Sequence, residues 1–141
     1  MFWDIAAQQF STLHSLYFKG ADGILLVFDI SRLSTFSNVI NWFSDALTYS
    51  SSEVPRILIG NRVNPEDERK ITLLMAERLS EELNAPYFET SIAVGENIDL
   101  IFQTITELIY KAKELDDSKD LGEIVFKFHE DNLNEAKKTR K

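Results

Sequence analysis

The chain has 141 residues, with 15 Lys and Arg against 23 Asp and Glu, so its formal net charge is −8. A surface of this sign repels phosphates, so neither nucleic acid nor anionic lipid is expected as a partner. The absence of cysteine from these residues excludes disulfides, thiolate metal sites, a cysteine nucleophile and lipidation at a cysteine.

Three short apolar segments predict β-strands. They are residues 23–29 (GILLVFD), 56–60 (RILIG) and 86–90 (PYFET). Short runs of this kind, rich in Val, Ile and Leu, are typical of strands that are buried on both faces. The three strands are separated by longer segments of a different periodicity.

Those longer segments predict three helices. The first has Ser34 as its N-cap, and its apolar positions are Phe36, Val39, Ile40, Phe43 and Leu47. The second begins after Thr72 and ends at Asn84, and its apolar positions are Met75, Ala76, Leu79 and Leu83. The third carries a longer stripe, formed by Ile98, Ile101, Phe102, Ile105, Leu108 and Ile109. Alternating strands and helices predict an α/β fold with a parallel sheet and right-handed crossovers.

The end of the chain has a different character. Residues 116–120 are polar and read as a linker, whereas residues 123–128 (EIVFKF) are β-prone. We therefore divide the chain into residues 1–113 and a charged extension, residues 114–141. In a parallel sheet ligands bind beyond the carboxyl ends of the strands, so we expect the functional residues in loops 30–33, 61–64 and 91–97.

Five motifs in order resemble the Ras-like small GTPases. The stretch WDIAAQQ, which starts at Trp3, resembles W-D-T-A-G-Q-E, and YFKGA, which ends at Ala21, resembles the Y-Y-R-G-A of the Rab branch. Phe36, Val39 and Trp42 match S-F-x-x-V-x-x-W. Residues 59–64 (IGNRVN) resemble V-G-N-K-x-D, and residues 88–92 (FETSI) resemble (F/L)-E-T-S-A. The resemblance extends from about Trp3 to Lys113 and is nearest to Rab.

The resemblance implies a three-layer, P-loop-GTPase-like (Rossmann-like) parallel sheet and a switch that binds GTP and GDP with Mg²⁺. It assigns Gln8 to orienting the attacking water, and Asp4 to contacting Mg²⁺ through water. Ala7 stands where the family has a glycine whose N–H meets the γ-phosphate. The positions assigned to the base are Asn61, Arg62, Asn64, Ser91, Ile92 and Ala93.

Asn64 departs from the family pattern at the base site, because the family uses an aspartate to read guanine. A carboxylate accepts from both the ring N–H and the amine of guanine, whereas an amide sets one donor against another. Loss of such a bidentate pair costs about 1–3 kcal/mol. Arg62 replaces a lysine, and Ile92-Ala93 replaces Ala-Lys. The expected base site therefore keeps part of the family motif, and several of its positions differ from it.

No G-x-x-x-x-G-K-[ST] motif occurs in these residues, and Met1 aligns where the family's third strand is ending. The resemblance therefore implies an N-terminally truncated fold whose nucleotide binding and GTP hydrolysis are weak or absent. One interpretation is an incomplete gene model of a small GTPase. The alternatives are a pseudo-GTPase interaction scaffold and a non-functional remnant.

Two further expectations concern partners. The resemblance implies that effector or regulator proteins contact the region between Trp3 and Ala21, and the composition predicts a cytoplasmic protein with no direct membrane anchor. Residues 123–128 have the length and composition to pair with the free edge of the strand at residues 23–29, from the same chain or in a strand-exchanged dimer. An amphipathic helix over residues 121–138 is the alternative.

Overall fold

The computed structural model describes residues 4, 17–51, 53–63, 66–91 and 93–116. Three parallel strands form one sheet in the order β1 (Ile24–Asp29), β2 (Arg56–Asn61) and β3 (Tyr87–Thr90). Leu26 of β1 lies opposite Leu58 of β2, which in turn lies opposite Tyr87 of β3. The predicted α/β fold with a parallel sheet is confirmed.

Three helices follow the strands: α1 (Leu33–Tyr49), α2 (Leu73–Leu83) and α3 (Ile98–Asp116). They cover opposite faces of the sheet. On one face α1 and α2 bury a cluster that includes Leu26, Phe28 and Leu58. On the other face α3 packs Ile101 and Ile105 against neighbouring residues of β2, because successive strand side chains point to opposite faces. The result is helix, sheet and helix in three layers.

The central strand is the most deeply buried element of the structure. Five of its six residues, from Ile57 to Asn61, are buried. A Cβ at Gly60 would contact the Tyr87 hydroxyl, and would lie 3.0 Å from Ile30 Cγ2. Only glycine fits between β1 and β3 at this position, so Gly60 allows the strands to close around the site that follows.

The second helix forms as its sequence predicts. Thr72 is its N-cap, with the side-chain oxygen accepting a hydrogen bond from the Met75 N–H at 3.2 Å. Asn84 ends the helix in the left-handed conformation, at φ 48°, which asparagine tolerates better than most residues. Ala76, Leu79 and Leu83 form the buried face.

The first helix differs from its prediction in two ways. It begins at Leu33, and Arg32 occupies the cap position without a side-chain cap bond, so Ser34 is not the N-cap. Ile40 is also 52% exposed, although we predicted it on the buried face. The buried residues are Val39 and Ala46, and a residue one position further along is rotated by about 100° around the helix axis.

Similar differences occur elsewhere. Leu47 of α1 is 36% exposed and Phe102 of α3 is 42% exposed, whereas the predicted stripe placed both inside. Ile101 and Ile105 carry the buried face of α3. No helix within the described residues is long and apolar enough to cross a membrane. The last helix continues to Asp116, so residues 114–116 of the extension proposed for residues 114–141 belong to that helix. The rest of the extension and the alternatives for residues 123–128 lie outside the described residues.

Candidate functional site

The candidate site lies at the carboxyl edge of the sheet, where the ends of all three strands are joined. Asn61 is the last residue of β2, and it pairs with Asp29 on one side and Thr90 on the other. The Ile30 N–H donates to the Asn61 carbonyl at 3.1 Å, and the Arg62 N–H donates to the Thr90 carbonyl at 2.8 Å. These bonds fix the backbone from which the predicted base-binding side chains project.

The side chain of Asn61 is buried, with the residue 8% exposed. Its Oδ1 atom has no hydrogen-bond partner, and it is the only such buried side-chain atom within the described residues. An unsatisfied buried acceptor costs about 1–3 kcal/mol, and buried polar groups in folded proteins are nearly always paired. The position therefore requires a donor from outside the described residues, either a ligand or another part of the chain.

The loop after β3 is held back against the sheet by side-chain hydrogen bonds. The Thr90 hydroxyl donates to the Glu96 carbonyl, and the Asn97 amide donates to the Glu89 carbonyl, each at 2.7 Å. Gly95 and Asn97 have positive φ angles of 68° and 59°, which these two residue types adopt most readily. These bonds tie the described part of the loop to the end of β3.

A second set of side-chain bonds fixes the loop after β1. Asp29 Oδ1 accepts from the Ser31 N–H at 2.9 Å and from the Ser31 hydroxyl at 2.7 Å. Thr35 Oγ1 accepts from the Asp29 N–H at 3.0 Å and lies 2.7 Å from the Arg32 carbonyl oxygen. The start of α1 is thus tied to the end of β1.

A charged cluster lies beside the same edge. The Arg69 guanidinium donates to both carboxylate oxygens of Glu89, at 2.7 and 2.6 Å, and the Tyr87 hydroxyl donates to Glu89 Oε1 at 2.8 Å. The Arg69 hydrogen bond lowers the pKa of Glu89, while burial, followed by the Glu89 hydrogen bond, raises the pKa of Tyr87. The hydrogen bond that Arg69 donates to Glu89 likewise raises the pKa of Arg69. This cluster connects the loop before α2 to the strand that carries Thr90.

The structure brings several of the predicted site residues together and leaves others undescribed. Asn61 and Ser91 are buried at adjacent strand ends, while Arg62 and Ala93 are exposed in the loops beside them. Asp4 is exposed. The remaining predicted positions lie outside the described residues; they are Ala7, Gln8, Asn64 and Ile92.

Most of the predicted site residues that the structure describes are those that the resemblance assigns to the base. Asn61 and Ser91 are buried and Arg62 is exposed at the carboxyl edge of the sheet. Asp4 is the one residue assigned to the metal, and no group of three or more potential ligands occurs within the described part of the chain.

Sequence reasoning missed the residues that support the site. It did not assign roles to Thr35, Thr90 or Asn97, nor pair Arg69 with Glu89. Asn97 lies two residues after Gly95 in a short loop, and asparagine tolerates a positive φ angle in such loops, so Asn97 could have been found. The ion pair joins residues twenty positions apart, and no local pattern reveals it.

Comparisons with known proteins identify the family of this chain. A sequence model of the Ras family matches residues 1–111. The GTP-binding protein ypt2 of Schizosaccharomyces pombe is 38% identical over 112 residues, which cover 79% of this chain and 56% of that protein. The Ras-related protein Rab-27B of Homo sapiens is 39% identical over 114 residues, 79% of this chain and 52% of that protein.

The Ras-related protein SEC4 of Candida albicans is also similar. It is 33% identical over 108 residues, which cover 76% of this chain and 51% of that protein. The chain thus spans about half the length of the curated relatives that it matches.

Proposed function

This chain belongs to the Ras family of small GTPases and is Rab-like, and from that premise we propose that it contributes the base-binding part of a guanine-nucleotide switch. The family match and the identities support guanine nucleotides as the ligand class. Which nucleotide binds, how tightly, and whether it is hydrolysed are parts of the proposal.

The observation that carries the proposal is the buried, unpartnered Oδ1 of Asn61 at the carboxyl edge of β2. A lone structural asparagine would satisfy both ends of its amide with its own fold. In the family that this chain resembles, the nucleotide and the loops that bind it lie beside the position of Asn61. A donor from the ligand, or from a loop ordered by the ligand, would remove the cost of the orphaned atom.

The substitution at Asn64 alters the proposed base preference. The two donors of guanine meet one acceptor and one donor on an asparagine side chain, so guanine loses one hydrogen bond. Xanthine replaces the exocyclic amine with a carbonyl oxygen, which the asparagine N–H₂ group can satisfy. We expect the site to discriminate less against xanthine nucleotides than a site with aspartate does.

The proposal gives GTP hydrolysis less support than nucleotide binding. By family resemblance Gln8 orients the attacking water, and Asp4 reaches Mg²⁺ through water. Ala7 keeps a backbone N–H where the family has glycine, but its Cβ adds strain wherever the turn requires a positive φ angle. The 141 residues also contain no phosphate-loop motif. We therefore expect slow or absent hydrolysis by the 141-residue chain.

The test is equilibrium binding of fluorescent GDP and GTP, with Mg²⁺, to the purified 141-residue chain, with GTP, XTP and ATP as competitors. The Asn64→Asp variant provides the matched comparison. We expect guanine nucleotides to compete better than ATP, and Asn64→Asp to raise the preference for GTP over XTP about tenfold or more, from a change of about 1–3 kcal/mol. Absence of binding by a folded chain would overturn the proposal.

The second candidate is a pseudo-GTPase scaffold that acts by protein contact. The observation that favours it is that Ala7, Asn64 and Ile92 all depart from the family at ligand positions. The proposed contact surface for effectors or regulators lies between Trp3 and Ala21. Folded protein that binds no nucleotide, with or without Asn64→Asp, would favour this candidate.

A further inference from the structure

The outer edge of β1 has free hydrogen-bonding groups. The N–H groups of Ile24 and Ile30 point to β2, where they donate to Pro55 and Asn61 at 2.8 and 3.1 Å. Residues at alternate positions must therefore direct their N–H and C=O groups to the opposite edge. Those residues are Leu25, Val27 and Asp29, and no described strand lies beside them.

Thr35 closes one end of this edge. Its hydroxyl contacts both outward groups of Asp29, accepting from the N–H at 3.0 Å and lying 3.2 Å from the carbonyl oxygen. The groups of Leu25 and Val27 remain without a partner within the described residues. The Val27 side chain is also 57% exposed, although it is in the middle of a strand. A free apolar edge of this kind is a template for another strand.

The last described helix ends beside the beginning of this edge. Lys113 Nζ lies 2.7 Å from Asp22 Oδ1, two residues before β1 begins. A Cβ at Gly23 would lie 2.8 Å from Ile109 Cδ1 and 3.1 Å from Ile105 Cγ1, so α3 and the start of β1 are in direct contact there. A chain that continues beyond α3 therefore starts at the amino end of the free edge, ready to run parallel to β1.

The handedness of such a connection is favourable. The steps from β1 to β2 and from β2 to β3 run in one direction across the sheet, with α1 and α2 on one face. A return from β3 to the outer side of β1 runs in the opposite direction, with α3 on the opposite face. This connection runs in the opposite direction across the sheet and passes over the opposite face, and two such reversals leave the handedness of the crossover unchanged. The new crossover is therefore right-handed, as parallel connections nearly always are.

Residues 123–128 have a sequence suited to a strand at the outer edge of β1. In EIVFKF the residues Ile124, Phe126 and Phe128 alternate with Glu123, Val125 and Lys127, which gives one apolar and one mostly charged face. Six residues, 117–122, separate this segment from α3 and can extend to about 20 Å. Neighbouring strands are about 4.8 Å apart, so the connection is long enough.

We propose that residues 123–128 of the same chain add to the outer edge of β1 as a fourth parallel strand, through hydrogen bonds to the outward backbone groups of Leu25 and Val27. The inference stands apart from the proposed nucleotide site, because it uses the outer edge of β1 and no ligand. It makes the segment after α3 a part of the sheet.

Amide hydrogen exchange of the 141-residue chain, followed residue by residue by NMR, tests the proposal. The Val27 N–H reports on the edge, and the Leu58 N–H, which donates to the Pro86 carbonyl at 2.9 Å, reports on the central strand. Proline is placed at Val125 and at Phe126 in separate variants. Alternate residues face opposite edges, so at least one proline must remove a hydrogen bond to β1. Asn132→Pro is the matched control.

We expect the Val27 N–H to be protected in the unmodified chain and in Asn132→Pro. At least one of Val125→Pro and Phe126→Pro should speed its exchange about tenfold or more relative to Leu58. Free exchange at Val27 beside a protected Leu58 would overturn the proposal, and so would protection that neither proline variant lowers. Protection that rises with protein concentration, together with a dimer on gel filtration, would assign the strand to a second copy and would overturn the proposed pairing within one chain. An unprotected Leu58 would show that no stable sheet forms, which also overturns it.

Discussion

Replacement of Glu89 by Gln should destabilise the fold through the cluster that it forms with Arg69 and Tyr87. Glu89 accepts two hydrogen bonds from the guanidinium, at 2.7 and 2.6 Å, and one from the Tyr87 hydroxyl at 2.8 Å. Glutamine keeps one acceptor and turns an N–H₂ group towards a donor. Exposed ion pairs contribute about 0–1 kcal/mol to the free energy of unfolding. Here the guanidinium makes two hydrogen bonds and the Tyr87 hydroxyl adds a third, so the expected loss is about 1–2 kcal/mol. This value already includes a discount for solvent screening, because both side chains are 33% exposed.

Urea denaturation at pH 7 measures this loss, which should lower the midpoint by about 1 M. Glu82→Gln, on the exposed face of α2, is the matched control and should leave the midpoint unchanged. Because the Arg69 bond lowers the pKa of Glu89 below its ordinary value of 4.5, the stabilisation is present above pH 4.5 and is lost as the pH falls through the folded pKa. The difference in urea midpoint between the parent chain and Glu89→Gln should therefore become smaller in acid. Equal midpoints at pH 7, or a gap that persists at low pH, would refute the reasoning.

Three further predictions address other parts of the structure. Asn61→Ala should change the thermal midpoint of the nucleotide-free chain little, because Oδ1 is unpaired, but should abolish any stabilisation by GDP with Mg²⁺ in the same assay. Thr35→Val should lower the free energy of unfolding by about 1–2 kcal/mol, whereas Thr106→Val, which loses one exposed bond to the Phe102 carbonyl, should change it by less than about 0.5 kcal/mol in urea. Gly60→Ala should cost about 1–3 kcal/mol by the same measurement, because its Cβ would contact the Tyr87 hydroxyl; unchanged stability would mean that β3 moves away freely.

The order and type of the main elements could be predicted from sequence because each carries its own periodicity. The ILLVFD and RILIG runs gave strands within one residue of their observed bounds, and Thr72 and Asn84 marked both ends of α2. These signals are local, since they depend on side-chain spacing and capping within a single element. The motifs at Asn61 and Ser91 likewise placed these two residues at the carboxyl ends of neighbouring strands, where the structure has them.

The burial of α1 could not be predicted in full, because its helical stripe is wider than the face that meets the sheet. Ile40 fits the stripe but is exposed, whereas its neighbour Val39 is buried in the core. The start of α1 also depends on the Thr35 hydroxyl reaching back to Asp29, six residues away. Such contacts follow from how the strand end and the helix meet, and that geometry is tertiary.

The two hydrophobic clusters share a sheet but no packing surface. Leu58 faces α1 and α2, while its neighbours Ile57 and Ile59 face α3. A change of side-chain volume on one face is therefore accommodated by that face alone. Over evolutionary time the interior of α3 can diverge without matching changes in α1 or α2. The constraint on α3 comes instead from β1 at Gly23, where a Cβ would lie so close to Ile105 and Ile109 that the three residues must vary together.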